Sequence, residues 1–99
     1  MKSLYRISRE AYIDLENIWE YTLETWSEEQ ANRYYSVLIE EIEYITSHFD
    51  EGKDMGHIKE GYKCAKVKSH IIFYKKGTDN ITQIIRILHQ MMDIENKLK

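Results

Sequence analysis

The residues best suited to chemistry gather in the second half of the chain. His89 follows the apolar pair Ile87-Leu88, three positions after Arg86. An imidazole near a guanidinium can move a proton while holding a phosphate. Lys63, Lys66, Lys68, Lys75 and Lys76 lie in the same half with His70, Tyr62 and Tyr74. Cations that grip phosphates and aromatics that stack bases are the means of an RNA-binding surface. These residues therefore form a candidate RNA contact, with His89 and Arg86 as a candidate acid-base pair for cleavage. The plainer alternative is a row of solvated strand lysines.

Other chemistries are poorly served. His48, His57, His70 and His89 never recur at i,i+3 or i,i+4, so the sequence holds no local metal site. Phosphate-loop, dinucleotide, zinc-finger and nucleophile-elbow spacings are all missing, and no cofactor or metal is expected. Cys64 stands alone, which rules out an internal disulfide, suits a reducing cytoplasm and fits a packed residue better than a nucleophile. The longest apolar run, Ile71-Ile72-Phe73-Tyr74, is far short of the ~20 residues of a membrane span, and no signal-peptide core opens the chain. A cytoplasmic protein is expected.

The net charge of −3 conceals an uneven distribution. Residues 1–50 carry four Lys/Arg against eleven Asp/Glu, a balance of −7, while residues 51–99 carry ten against six, a balance of +4. Any nucleic-acid contact must therefore use the C-terminal half alone. Most of the N-terminal acidity reads as a solvated helix face.

The elements that would position these residues are legible in order. Leu4-Tyr5-Arg6-Ile7 alternates like a strand and meets Ser8, a good helix N-cap. Ala11, Leu15, Ile18, Trp19, Thr22 and Trp26 then recur at helical spacing. Ser27-Glu28-Glu29-Gln30 has the form of a capping box and opens a second helix, whose core face is Ala31, Tyr34, Tyr35, Leu38, Ile42 and Ile45. So short a junction folds the helices into an antiparallel hairpin, with their aromatics in the core. Residues 49–60, with Gly52 and Gly56 among charges, read as a surface loop. Three strands follow over residues 62–67, 70–75 and 81–88, joined by short turns into an antiparallel meander. In the last strand, alternation puts Ile81, Ile85 and Ile87 on one face and Ile84 and Leu88 on the other. The whole reads as one α+β domain over residues 1–99: an N-terminal strand and a helical hairpin packed on a mostly antiparallel four-stranded sheet, in the order β-α-α-β-β-β.

Six phrases in this order carry a family resemblance. They are Tyr5-Arg6-Ile7-Ser8, Asp14-Leu15-Glu16-Asn17-Ile18-Trp19-Glu20-Tyr21-Thr22, Gln30-Ala31-Asn32-Arg33-Tyr34-Tyr35, Gly61-Tyr62-Lys63, His70-Ile71-Ile72-Phe73-Tyr74 and Arg86-Ile87-Leu88-His89-Gln90-Met91-Met92-Asp93. Together they resemble the ParE branch of the RelE/ParE superfamily, the toxins of type II toxin-antitoxin modules, also called plasmid stabilisation proteins. The resemblance implies a toxin that inhibits DNA gyrase by binding it and is neutralised by a ParD-like antitoxin. The sister RelE-type toxins cut messenger RNA on the ribosome, which would make this chain an endoribonuclease with His89 as acid-base group and Arg86 and Lys66 on phosphate. Ile71 stands where some ribonuclease members carry arginine, and that favours the gyrase reading. A non-toxic interaction protein derived from the fold is the remaining alternative. The expected contact surface for target or antitoxin comprises Lys63, Lys66, Lys68, Tyr74, Arg86, His89, Met91, Met92 and Asp93, continuing through residues 91–99. The +4 of the C-terminal half calls for an acidic, apolar antitoxin peptide that crosses the basic sheet or packs in the groove between helices and sheet.

Overall fold

Ser8 turns the chain from its first strand into its first helix, as the sequence requires. In the computed structural model, which describes residues 4–98, its side chain accepts the Ala11 N–H at 3.0 Å and donates to the Ile85 carbonyl at 2.8 Å. One residue thus caps a helix and binds a strand. Strand β1 (Tyr5–Ile7) precedes it and helix α1 (Arg9–Thr25) follows. Ser27 accepts the Gln30 N–H at 3.1 Å and starts helix α2 (Glu28–Ser47), which returns antiparallel to α1 as the short junction demands.

A 3₁₀ turn (Phe49–Glu51) leads to β2 (Lys53–Asp54), and β3 (Lys63–Val67), β4 (His70–Lys76), β5 (Thr82–His89) and helix α3 (Ile94–Leu98) complete the chain. The sheet order is β1-β5-β4-β3-β2, with β1 parallel to β5 and every other pair antiparallel. The α+β class and the meander agree with the sequence reading. The sheet has five strands rather than four, because two residues of the expected loop, Lys53 and Asp54, pair with Cys64 and Lys63. A strand that short leaves no periodicity to read. Lys99, the end of the expected C-terminal contact segment, lies outside the described residues.

Both sheet faces are covered. On the helix side, Leu15, Leu38 and Ile42 pack against Ile72, Tyr74, Ile84 and Ile87. On the other side, Met55 and Tyr62 from the 53–62 segment and Leu98 of α3 close over Phe73 and Leu88. The expected faces of β5 need correction. Tyr74 pairs with Ile84 but Phe73 with Arg86, so Ile85 is an extra, bulged residue. The bulge shifts the alternation by one, which brings Ile84 and Ile87 together under the helices and sends Ile85 to the opposite cluster with Leu88.

β1 spans only the start of β5, and side chains finish its work. Ser8 takes the Ile85 carbonyl, and Asp14 of α1 takes the Ile87 N–H at 2.9 Å. The same carboxylate holds Arg86 through Nε at 2.8 Å and Nη2 at 3.0 Å. Asp14 therefore fixes the open edge of β5 to α1 beyond Ile84, the last β5 residue that pairs with β1.

Candidate functional site: a groove at the turn end of the helical hairpin

Beyond the Asp14–Arg86 contact, the hairpin and the sheet diverge around a groove of about 790 Å³. Its walls come from Ile18 and Thr22 of α1, Tyr34 and Val37 of α2, the Lys68-Ser69 turn and Ile87 of β5. Three large apolar residues stand at this groove yet remain open to solvent: Trp26 at 73%, Tyr21 at 67% and Met92 at 46%. Scattered exposed apolar residues are ordinary, whereas three around one concavity mark a contact surface. Trp26, expected in the core, is the most exposed of these. It is the C-cap of α1, in the junction with α2 itself, and so stands at the end of the hairpin instead of in the helix-sheet interface. Trp19, also expected in the core, is half-buried, and its indole N–H donates to Asn32 of α2 at 3.0 Å.

The floor of the groove is an imidazole pair. His70 opens β4 and His89 closes β5 directly opposite, with ring centroids 5.2 Å apart and planes at 87°. Tyr34 reaches down from α2, and its hydroxyl lies 2.6 Å from His70 Nδ1. The backbone N–H of Ser69 supports that hydroxyl, while burial pushes the phenol's pKa up. The Met91 N–H donates to His89 Nδ1 at 3.1 Å. Burial, helped by the charge His89 would carry, holds the His70 imidazole down at about 4 despite the opposing pull of Asp14. His70 is accordingly neutral near pH 7.

The candidate site residues separate into distinct places. Lys68, His89 and Met92 line the groove. Met91 and Asp93 are exposed just beyond it. Lys66 pairs with Ile71, whose side chain joins the far cluster, so Lys66 projects from the opposite face of the sheet. Lys63 sits at the other end of β3, where its ammonium donates to the Gly52 carbonyl at 3.3 Å and lies 5.9 Å from the Phe49 ring centroid. Arg86 is tied to Asp14, whose hydrogen bonds raise its pKa further. Tyr74 requires correction as a contact residue. It is 0% exposed because it alternates to the helix side of β4 and packs edge-on against Phe49. Tyr62 is also buried, on the opposite face, so the two tyrosines form no shared stacking surface. The expected ribonuclease set of His89, Arg86 and Lys66 is likewise divided between the groove, an ion pair and the far face.

Comparison with known proteins agrees with this architecture. The family described as the ParE toxin of the type II toxin-antitoxin system, parDE, matches residues 5–94. The chain belongs to the ParE toxin family. It is 39% identical to Toxin ParE1 of Caulobacter vibrioides over 89 residues, covering 90% of this chain and 91% of that relative. Toxin ParE1 of Mycobacterium tuberculosis is 32% identical over 98 residues, covering 99% of this chain and all of that protein. Among solved structures, a chain from the chromosomal ParDE system of P. aeruginosa shares the fold, with a TM-score of 0.77 at 16% identity over 89% of this chain and 96% of its own. A ParE toxin of this family is thus built around the groove, the imidazole pair and the Asp14–Arg86 anchor.

The sequence had named His70 and His89 without joining them and had assigned Tyr34 and Trp26 to the core. Asp14 read only as a polar helix position. A signal for the His70–His89 pairing existed in the short turn between residues 76 and 82, which fixes the register of β4 on β5. It brings His70 to His89 only when the bulge is counted.

Proposed function

We propose that this chain is a cytoplasmic toxin that inhibits DNA gyrase by binding, and that a ParD-like antitoxin neutralises it by laying an apolar, acidic segment in the groove. The observation that carries the antitoxin part is the gathering of Trp26, Tyr21 and Met92 at one apolar-walled groove. An amphipathic segment laid there would cover them, in the manner of helix-in-groove recognition. Binding is favoured over catalysis because Arg86 is committed to Asp14 and Lys66 faces away from His89. Family membership supports the toxin class.

The target is tested by induced expression with two readouts, plasmid supercoiling and translation-linked RNA cleavage. Loss of supercoiling without cleavage is the expected result. Cleavage abolished by His89→Ala would overturn the gyrase reading and establish the ribonuclease, and unchanged growth at confirmed expression would leave a non-toxic interaction protein. For the antitoxin, Trp26→Ala should weaken binding at least about tenfold, since an exposed aromatic at the centre of a contact is a typical hot spot, while changing stability by less than about 0.5 kcal/mol. Lys68→Glu should weaken it as well, and Lys66→Glu should not. Equal effects of the two lysines would count against the groove and favour an antitoxin that crosses the whole sheet.

A further inference from the structure

The floor of the groove has a hydrogen-bonding character that its apolar walls do not share. Tyr34 holds His70 Nδ1, and the Met91 N–H holds His89 Nδ1. The backbone amide at 91 can only donate, so His89 Nδ1 is an acceptor and its ring proton resides on Nε2. The Tyr34 hydroxyl faces two acceptors, His70 Nδ1 at 2.6 Å and the Val67 carbonyl at 3.4 Å; the shorter contact takes its single proton, which leaves the His70 proton on Nε2 too. Each imidazole therefore keeps one free donor, Nε2–H, and no free acceptor.

The surrounding charges set what those donors can take. Asp14 lies at the groove but is neutralised by Arg86, and Arg33 is tied to Glu29 at 2.9 Å. Lys68, exposed in the turn beside His70, makes no ion pair among the described residues. Two imidazole N–H donors and one free cation suit a single negative charge bearing two acceptor oxygens. They would leave most of a nucleic-acid backbone uncompensated, beside helices rich in glutamate. Ile18, Val37 and Ile87 meanwhile offer an apolar wall to whatever carries that charge.

We propose that His70, His89 and Lys68 form a carboxylate seat at the floor of the groove, which takes an acidic side chain flanked by an aromatic or long aliphatic residue of the docked peptide. This inference rests on the docking role proposed above and specifies the chemistry of its anchor. A metal ion is a poor alternative occupant, because ligation through Nε2 would move the His89 proton to Nδ1, against the Met91 N–H.

The test uses the full chain and small probes, so it does not depend on any antitoxin. Indole-3-acetate, indole-3-acetamide and phenyl phosphate are titrated while the His70 and His89 ring resonances are followed by NMR. The acetate should shift both rings and bind at least about tenfold more tightly than the neutral amide, the margin expected of charge-assisted hydrogen bonds. His89→Leu should erase that preference. Lys68→Gln, a change at an exposed turn residue that leaves folding intact, should reduce it severalfold. Equal binding of acetate and amide would overturn the seat, as would shifts confined to other residues. Tighter binding of phenyl phosphate than of acetate would overturn it in favour of a nucleic-acid contact. If the seat fails while Trp26→Ala still impairs antitoxin binding, the docking role stands alone. If Trp26→Ala leaves antitoxin binding intact while the acetate preference holds, the docking role fails and the seat remains.

Discussion

Replacing Asp14 tests how much of the fold depends on one carboxylate. Asp14 accepts three hydrogen bonds, two from Arg86 and one from the Ile87 backbone, with side-chain exposures of only 12% for Asp14 and 20% for Arg86. Asp14→Ala leaves a guanidinium and a backbone N–H without partners in a poorly solvated place. Breaking one side of a buried ion pair costs about 3–5 kcal/mol. Residual solvent at Arg86 moves the expectation to the low end, about 3 kcal/mol. In a domain of this size that lowers Tm by roughly 15 °C. Asp14→Asn keeps an acceptor for the Ile87 N–H but loses the charge, so it should cost about half as much. Urea unfolding measures both, with the midpoint moving and the slope unchanged. A double-mutant cycle with Arg86→Met isolates the pair. An Asp14→Ala cost under about 1 kcal/mol, or a coupling near zero, would refute the anchor and return Arg86 to the pool of residues free for phosphate.

Three further expectations follow from buried polar groups. The Tyr74 hydroxyl is buried without a hydrogen-bond partner among the described residues, so Tyr74→Phe should leave stability unchanged or raise it by up to about 1 kcal/mol. A Cβ at Gly52 would lie 1.7 Å from that same hydroxyl, so Gly52→Ala should cost more than about 2 kcal/mol and cost less in a Tyr74→Leu background, as read by thermal unfolding. For His70, the folded pKa of about 4 lies below the ordinary 6.5, so the unfolded chain takes up the proton first as pH falls. The stability this confers is complete above pH 6.5 and is lost progressively toward pH 4. At pH 5 the loss should approach about 2 kcal/mol, reduced somewhat by solvent at the half-buried ring. Denaturation midpoints between pH 7.5 and 4.5 should therefore fall more steeply for the native chain than for His70→Gln. Parallel curves would show that His70 is not held neutral by the fold.

The helices, their caps and the order of strands were legible because each rests on local chemistry. Ser8 and Ser27 cap as their positions demand, and the alternation of β4 sends Ile72 and Tyr74 inward. What the sequence concealed depends on a single inserted residue. Lys76 pairs with Thr82, and an uninterrupted ladder would carry His70 to Leu88. The bulge at Ile85 moves the partner to His89 and reverses the facing of everything after it. Apolar residues fall at both odd and even positions of β5, as Ile84, Ile85, Ile87 and Leu88 do, so either register fits and the pattern does not reveal the shift. The exposed Trp26 was concealed for a different reason. Helical spacing runs on to Trp26, whereas the helix itself ends at Thr25 and leaves Trp26 exposed as its C-cap.

The bulge also explains why the groove has a polar floor in an otherwise apolar concavity. In the unshifted register a leucine would face His70, leaving one imidazole beneath Tyr34 and no second donor beside it. With the shift, His89 reaches the groove floor as Leu88 turns to the far cluster, where it packs with Phe73 and Leu98. Asp14 then becomes necessary, because a bulged strand that runs past β1 has edge groups with no neighbouring strand. The helix carboxylate that satisfies them also binds Arg86, the residue next to the bulge. One extra residue in β5 thus links the anchor and the imidazole pair. Deleting Ile85 should disrupt both at once, losing the His70–His89 ring contact and the Asp14–Arg86 coupling together. Loss of only one would show that the two arise independently.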